Sequence, residues 1–295
     1  MTPIAALSES LPPSERVVFQ GESVLIGQVR CPPTAAHFRN CGKARTFCIV
    51  FPRGAVIIRR PNQPPLIEDP SVVTFYNRAE EYERFELSPE GDRCDWFAYD
   101  VDVVRDAIRQ FDPAAADDER NPLRLVSSRS SSDVFRRQRL LFERVRNDRT
   151  ADPLYVEEMA IDLLDRVVGD AYAARPHSGI SPRRACELAD AARRLVALGY
   201  ARPLGLRQIA DRLDTSVFHL CRVFRSVHGT TIHRHRTQLR IRHALECLAN
   251  PAADLAQLAF DLGFSTHSHF TAAFKREFGA TPSLVRAAVA AQPRR

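Results

Sequence analysis

Phe218, Arg222 and Arg225 are spaced four and three residues apart, which puts their side chains on one face of an α-helix. An aromatic ring and two guanidinium groups presented together suit one kind of chemistry. The ring can touch a thymine methyl, one guanidinium can take a guanine edge with two hydrogen bonds, and the other can meet a phosphate. His219 and Ser226 flank this face, and Val217, Leu220, Phe224 and Val227 fall on the opposite, apolar side. Ser216, just before the segment, reads as its N-cap.

Fifty residues on, the pattern returns. Leu220, Phe224, Gly229 and Thr231 recur as Phe270, Phe274, Gly279 and Thr281, and Ile209-Ala210 recurs as Leu258-Ala259. Leu206, Ile209, Ala210 and Leu213 form the stripe of a first support helix, followed by a turn at Asp214-Thr215. Leu255, Leu258, Ala259 and Leu262 do the same ahead of a turn at Gly263-Phe264. Each copy thus reads as a helix-turn-helix, a unit that presents its second helix to the major groove of DNA. The second such helix buries Phe270, Ala273, Phe274 and Phe278 and turns Ser268, Ala272 and Lys275 outward, with His267 at its start and Thr271 and Arg276 at the flanks. It is poorer in base-reading groups, because Ala272 can only touch a methyl where Arg222 could take guanine. Between the copies Thr231 caps a long helix to about Leu248, whose Ile232, Leu239, Ala244, Leu245 and Leu248 would fix the separation of the two heads. Thr281-Pro282 opens a last helix in the same way. The free N–H groups at these two helix starts are candidate phosphate contacts.

Charge agrees with a polyanion partner. The 295 residues carry a net +6, but residues 181–295 hold 18 Lys+Arg against 8 Asp+Glu, and residues 1–180 hold 24 against 28. The stretch Met1–Pro13 has no secretory pattern, and no run approaches the roughly 18 apolar residues of a membrane span. Seven scattered cysteines are too few for a disulfide scaffold, so a cytoplasmic location and no membrane contact are expected.

Upstream, Val24–Val29, Phe47–Phe51, Ala55–Arg59, Val72–Tyr76 and Trp96–Tyr99 read as short strands separated by Pro- and Gly-rich turns. Helical periodicity begins near Val101 and recurs in Val134–Val145 and Leu154–Val168, with a polar loop over Asp112–Ser132. Residues 171–180 have a linker's composition, and Ser181-Pro182 makes a helix start. The fold class expected is α+β. A β-barrel domain spans 1–110, a helical connector and linker 111–180, and an all-α domain with two helix-turn-helix motifs 181–295.

The stretches "IADRLDTSVFHLCRVFRSVHGTTIHRHRTQLRIRHALECL" and "LAFDLGFSTHSHFTAAFKREFGATPSLVR" resemble the DNA-binding domain of AraC-type transcription regulators, as do Gly263-Phe264, Phe274-Lys275, Gly279 and Thr281-Pro282-Ser283. The resemblance covers about residues 183–290. It implies a seven-helix domain that lays two helix-turn-helix units in successive major-groove segments. Phe218 and Arg222 match groove-facing positions of the first reading helix, and Ser268 and Ala272 those of the second. Relatives often carry Arg where this chain has Ala272. The N-terminal run "FPRGAVIIRR…EDPSVVTFYNRAEEYERFELSPEGDRCDWFAYD" resembles the cupin-like β-barrel found beside such domains, which implies a small-molecule sensor or a dimerisation module.

In such a barrel Phe47, Ile49, Phe51, Tyr76 and Trp96 are candidate lining residues, with Arg53 or Arg78 to fix an anion. A metal-dependent cupin enzyme is excluded for want of ligands, since His37 and His177 are the only histidines in the first 180 residues. Cys31, His37, Cys41 and Cys48 are soft ligands, but their spacings of six, four and seven fit no common zinc module, and buried inert thiols are the expectation. His228, His233, His235 and His243 are expected to be solvated or phosphate-facing. The partners expected are double-stranded DNA, a small-molecule effector, RNA polymerase and a second copy of the chain through Val134–Val145 and Leu154–Val168, whose apolar faces could equally pack on the barrel. No cofactor and no enzyme activity are expected. The alternative is a ligand-independent DNA-binding module whose N-terminal domain only makes protein contacts.

Overall fold

The computed structural model describes residues 11–148, 151–174, 183–202, 204–250 and 252–290. The chain divides into two compact units, residues 1–175 and 176–291.

The N-terminal unit holds the strands β1 (Glu15–Gln20), β2 (Val24–Cys31), β3 (Asn40–Lys43), β4 (Phe47–Pro52), β5 (Val56–Arg59), β6 (Leu66–Glu68), β7 (Val72–Tyr76), β8 (Glu81–Glu86), β9 (Asp92–Tyr99) and β10 (Ser127–Arg129). Its helices are α1 (Val101–Arg109), α2 (Pro113–Ala116), α3 (Ser132–Asn147) and α4 (Pro153–Ala173). The strands form two antiparallel sheets, ordered β1-β2-β9-β4-β7-β10 and β3-β8-β5-β6.

The larger sheet is buried on both faces, which is why its inner strands read as near-continuous apolar runs. Val24, Ile26, Ile49, Phe51, Val73, Phe75, Phe97 and Tyr99 pack against the helices. Their neighbours Leu25, Val50, Tyr76, Cys94, Trp96 and Ala98 face the smaller sheet and meet its Val56 and Ile58. The alternation follows from the two-residue period of a strand.

Two polar devices fasten the helices. Asp95, fully buried on β9, accepts hydrogen bonds from Gln138 Nε2 (2.8 Å) and Arg139 Nη1 (2.7 Å) of α3, and Arg53 Nη1 lies 3.5 Å from its other oxygen. Arg139 and Arg146 both pair with Glu143. On α4, the Ala160 carbonyl accepts from Tyr99 Oη (2.9 Å) and Glu157 accepts from the Ser23 N–H (2.8 Å).

Several expectations are corrected here. The strands form two sheets with open ends, and among the described residues neither sheet closes into a barrel. The smaller sheet is edged by β3 and β6, four and three residues long, and among the described residues no strand pairing joins it to the larger one. The charged segment Glu81–Glu86 is a strand, and the loop 112–132 contains α2 and β10. The apolar residues of α3 and α4, Val134, Leu141, Phe142, Leu163 and Val167 among them, are spent in the core against the sheet. Ser181-Pro182 and His177 lie outside the described residues.

The C-terminal unit comprises α5 (Arg183–Gly199), α6 (Leu206–Arg212), α7 (Val217–His228), α8 (Ile232–Cys247), α9 (Leu255–Asp261), α10 (His267–Phe278) and α11 (Pro282–Ala290). Leu220, Phe224, Phe270 and Phe274 are fully buried in it. Truncating one of these phenylalanines to alanine costs about 3–5 kcal/mol. Among the described residues no helix is long and apolar enough to cross a membrane.

Candidate DNA interface

The two supporting turns differ in length and chemistry. Leu213–Ser216 join α6 to α7, and Asp214 takes a left-handed φ of 48° there. The turn from α9 to α10 is one residue longer, 262–266, and its left-handed position is Gly263 at φ 77°. A Cβ at Gly263 would sit 2.4 Å from the Ala201 carbonyl oxygen, so backbone packing as well as φ demands glycine.

Both reading helices are capped alike. Ser216 Oγ accepts from the His219 N–H (3.2 Å) and Thr266 Oγ1 from the His269 N–H (3.0 Å). Gly229 and Gly279, both left-handed, close them. Thr231 and Thr281 then cap α8 and α11 through the N–H groups of Arg234 (3.2 Å) and Leu284 (3.3 Å).

On α7, Ser216, His219, Arg222, Arg225 and Ser226 are exposed, and Phe218 is 76% exposed, the highest value among the exposed large hydrophobic side chains of the described residues. A phenylalanine left in water beside two arginines has no packing role in this unit. On α10, His267, Ser268, Ala272, Lys275 and Arg276 are exposed. Thr271 is half-buried with its hydroxyl enclosed, so it does not join that outer row. Val217 and Leu206, expected on apolar stripes, are exposed at the first positions of their helices.

The strut between the heads is more polar than its apolar residues suggested. Arg240 Nε donates to the Tyr200 carbonyl (2.6 Å) and its Nη1 to the Gly263 carbonyl (2.8 Å). Arg236 Nη1 donates to the Leu204 carbonyl (2.6 Å), and Gln238 Nε2 to Glu277 of α10 (3.1 Å). One helix therefore ties the start of the first head to the turn and reading helix of the second. Burial and the neighbouring Arg236 bring the Arg240 guanidinium down to about 10, still charged at neutral pH. His233 is lowered by burial and then by Arg236, Arg240, His269 and Arg276, which marks a cationic neighbourhood around the start of α8. Arg236, Gln238 and Arg240 are not singled out in the sequence, since their partners lie 23 to 40 residues away.

The histidines divide. His233 is exposed, but His235 is buried beside Phe224 at a ring separation of 5.8 Å. His228 packs on Phe224 at 4.7 Å with Nε2 3.6 Å from Asp190, and His243 lies 5.9 Å from the Tyr200 ring. The expectation of solvated or phosphate-facing imidazoles fails for His228 and His235, whose rings pack against Phe224.

Residues 209–288 match the family described as "Helix-turn-helix domain". The HTH-type transcriptional regulator GlxA of Rhizobium meliloti is 36% identical over 85 residues, 29% of this chain and 26% of that protein. The Msm operon regulatory protein of Streptococcus mutans is 30% identical over 94 residues, 32% of this chain and 34% of that protein. The chain thus spans about a quarter to a third of the length of these curated relatives. The crystal structure of ToxT from Vibrio cholerae O395 matches over 95% of this chain and 100% of its own at 13% identity, with a TM-score of 0.34.

In the N-terminal unit a cavity of about 260 Å³ lies between the two sheets. Of the seven proposed ligand residues, Tyr76 and Trp96 line it. Phe51, with Ile49, points to the helices, and Phe47 packs there too while lining, with Arg78, a separate surface cleft. Arg53 is engaged with Asp95. The correction is one of parity, since a strand's neighbours face opposite ways: Cys48 and Val50 face the cavity where Phe47, Ile49 and Phe51 were expected. The cavity also takes in Glu68, Arg84 and Asp92, which the sequence did not single out. His37 Nε2 lies 2.8 Å from Ser14 Oγ, and burial lifts the Cys48 thiol to about 12. Among the described residues no three His, Cys, Asp or Glu stand where they could share a metal; the Cys41 side chain lies outside them.

Proposed function

We propose that the protein is a sequence-specific, DNA-binding transcription regulator of the AraC type whose N-terminal unit responds to a small molecule. The observation that carries the first part is the exposure of Phe218 beside Arg222 and Arg225 on a capped helix, repeated in a poorer form on α10. In this reading α7 is the principal reader. Phe218 meets a thymine methyl, Arg222 takes a guanine edge, and Arg225, His219 and Ser226 meet the backbone. α10 contributes His267, Ser268, Ala272, Lys275 and Arg276 and acts more as a clamp than a reader. The N–H groups at Ser216, Thr231 and Thr281 face phosphates.

A dimer on two half-sites, with an effector changing the placement of the DNA-binding domains, is the mode of action proposed. With the apolar faces of α3 and α4 in the core, only their outer faces remain for such a contact. Contact with RNA polymerase belongs to the same proposal.

The test is recovery of genomic DNA bound by the purified protein, followed by footprinting. The expected result is protection of two adjacent major-groove segments about one helical turn apart on one face of the duplex. Recovery of random fragments with no protected bases overturns the reading. Sedimentation with and without that DNA decides between dimer and monomer.

A further inference from the structure

The inter-sheet cavity is lined by half-buried Glu15 and exposed Lys43 and Arg45 as well as by deeper charges, and among the deeper ones a carboxylate lacks an ion pair. Three ionisable side chains on its wall are almost wholly buried: Glu68, Arg84 and Asp92. Arg84 Nε lies 3.0 Å from Asp92 Oδ2, so these two compensate each other. Glu68, 2% exposed, is left over. Its carboxylate accepts from Tyr76 Oη at 2.9 Å, and among the described residues it has no ion pair. Arg60, whose charge is felt at Glu68, sits over the Tyr76 ring at 4.2 Å and is committed to Glu80 (3.2 Å) and the Phe75 carbonyl (2.9 Å).

A buried carboxylate with only neutral donors is costly to ionise, and an opposite charge delivered to it recovers much of that cost. Around Glu68 the walls are aromatic and aliphatic. Tyr76 and Tyr82 lie 4.9 Å apart at 58°, and Trp96 adds an indole to the same cavity. Aromatic faces beside a carboxylate favour cations over anions. Burial, more than the neighbouring Asp92, lifts the Glu68 carboxyl to about 7, while Arg60, Tyr76 and Thr74 act to lower it.

We propose that this cavity takes a small organic cation, a protonated amine on an aromatic or apolar body, with Glu68 as its counter-ion and Tyr82 and Trp96 as walls. The inference rests on the reading of the N-terminal unit as a sensor and adds the charge and class of what it senses. An anionic effector would meet Glu68 head-on, because Arg84 is paired with Asp92 and the cavity's other cations, Lys43 and Arg45, are exposed.

Trp96 is the only tryptophan in the chain, so its fluorescence reports on this cavity alone. The experiment titrates the full-length protein at pH 8 with 2-phenylethylamine, 2-phenylethanol and 3-phenylpropanoate, which share a ring and differ in charge. The expected result is saturable binding of the amine at least about tenfold tighter than either companion. Glu68→Gln, an isosteric change, should erase that preference while leaving the alcohol's affinity unaltered, which also shows that the cavity survives. Equal or tighter binding of the alcohol or the carboxylate overturns the charge assignment and leaves the sensor reading standing. No saturation by any of the three overturns the inference, and DNA binding scored in the same preparation shows whether the regulator reading has failed with it.

Discussion

Arg240 and Gly263 fit each other across the C-terminal unit. The guanidinium donates to the Gly263 carbonyl at 2.8 Å, and a Cβ on that glycine would come within 2.7 Å of its Nη2. The turn of the second head is therefore held by the helix between the heads and by a residue with no side chain to obstruct it.

Gly263→Ala should destabilise the C-terminal unit by about 1–3 kcal/mol, the cost of a left-handed alanine plus the displaced Arg240. Thermal unfolding followed by circular dichroism measures it. An unchanged melting temperature would mean that the turn has room to move.

Arg222→Ala should weaken the cognate site by about 1–3 kcal/mol and relax selectivity at one base pair, whereas Lys275→Ala should weaken all sequences alike and reduce the salt slope by about one. Fluorescence anisotropy with cognate and scrambled duplexes at several salt concentrations separates the two. If Arg222→Ala retained both affinities, Arg222 would not be the base reader.

Asp95→Ala leaves Arg139, Gln138 and Arg53 facing a missing carboxylate in a dry interior. Breaking a buried pair in this way costs about 3–5 kcal/mol. Urea unfolding should show the loss in the N-terminal unit, with the C-terminal transition unmoved.

The Glu68 carboxyl rises from the ordinary 4.5 to about 7 because it is buried. Ionisation is thus harder in the folded chain than in the unfolded one. The corresponding stability is complete below pH 4.5 and is lost as the pH climbs through 7. Glu68→Gln removes that dependence. The variant should be more stable than its parent at pH 8, by on the order of 2 kcal/mol, and the difference should shrink towards pH 4.5. Melting curves across that range check it, and a constant offset would assign the effect elsewhere.

The C-terminal helices were legible because each carries its period, cap and closing glycine within a dozen residues, twice over. Phe218 stood out for the same reason, as an aromatic on the wrong face. The N-terminal sheets were only half legible. Val72–Tyr76 was readable as a strand, but a strand buried on both sides has no polar face to show which way each residue points. That is how Phe47, Ile49 and Phe51 were assigned to the cavity that Cys48 and Val50 face. Glu81–Glu86 hid behind its charges, and that Glu68 stays unpaired depends on residues distant in sequence, Arg84 and Asp92, that pair with each other and that no local pattern links.

The ties from Arg236, Gln238 and Arg240 make the linking helix a ruler. A duplex engaged by both heads has to supply its two contact segments at one fixed phase, because these hydrogen bonds hold the second head to the linking helix. One inserted base pair turns the second segment by about 35° away from its reader, and only DNA that twists or bends cheaply could restore the match. Sequences between the contacted segments would then be selected for pliancy, although no side chain touches them.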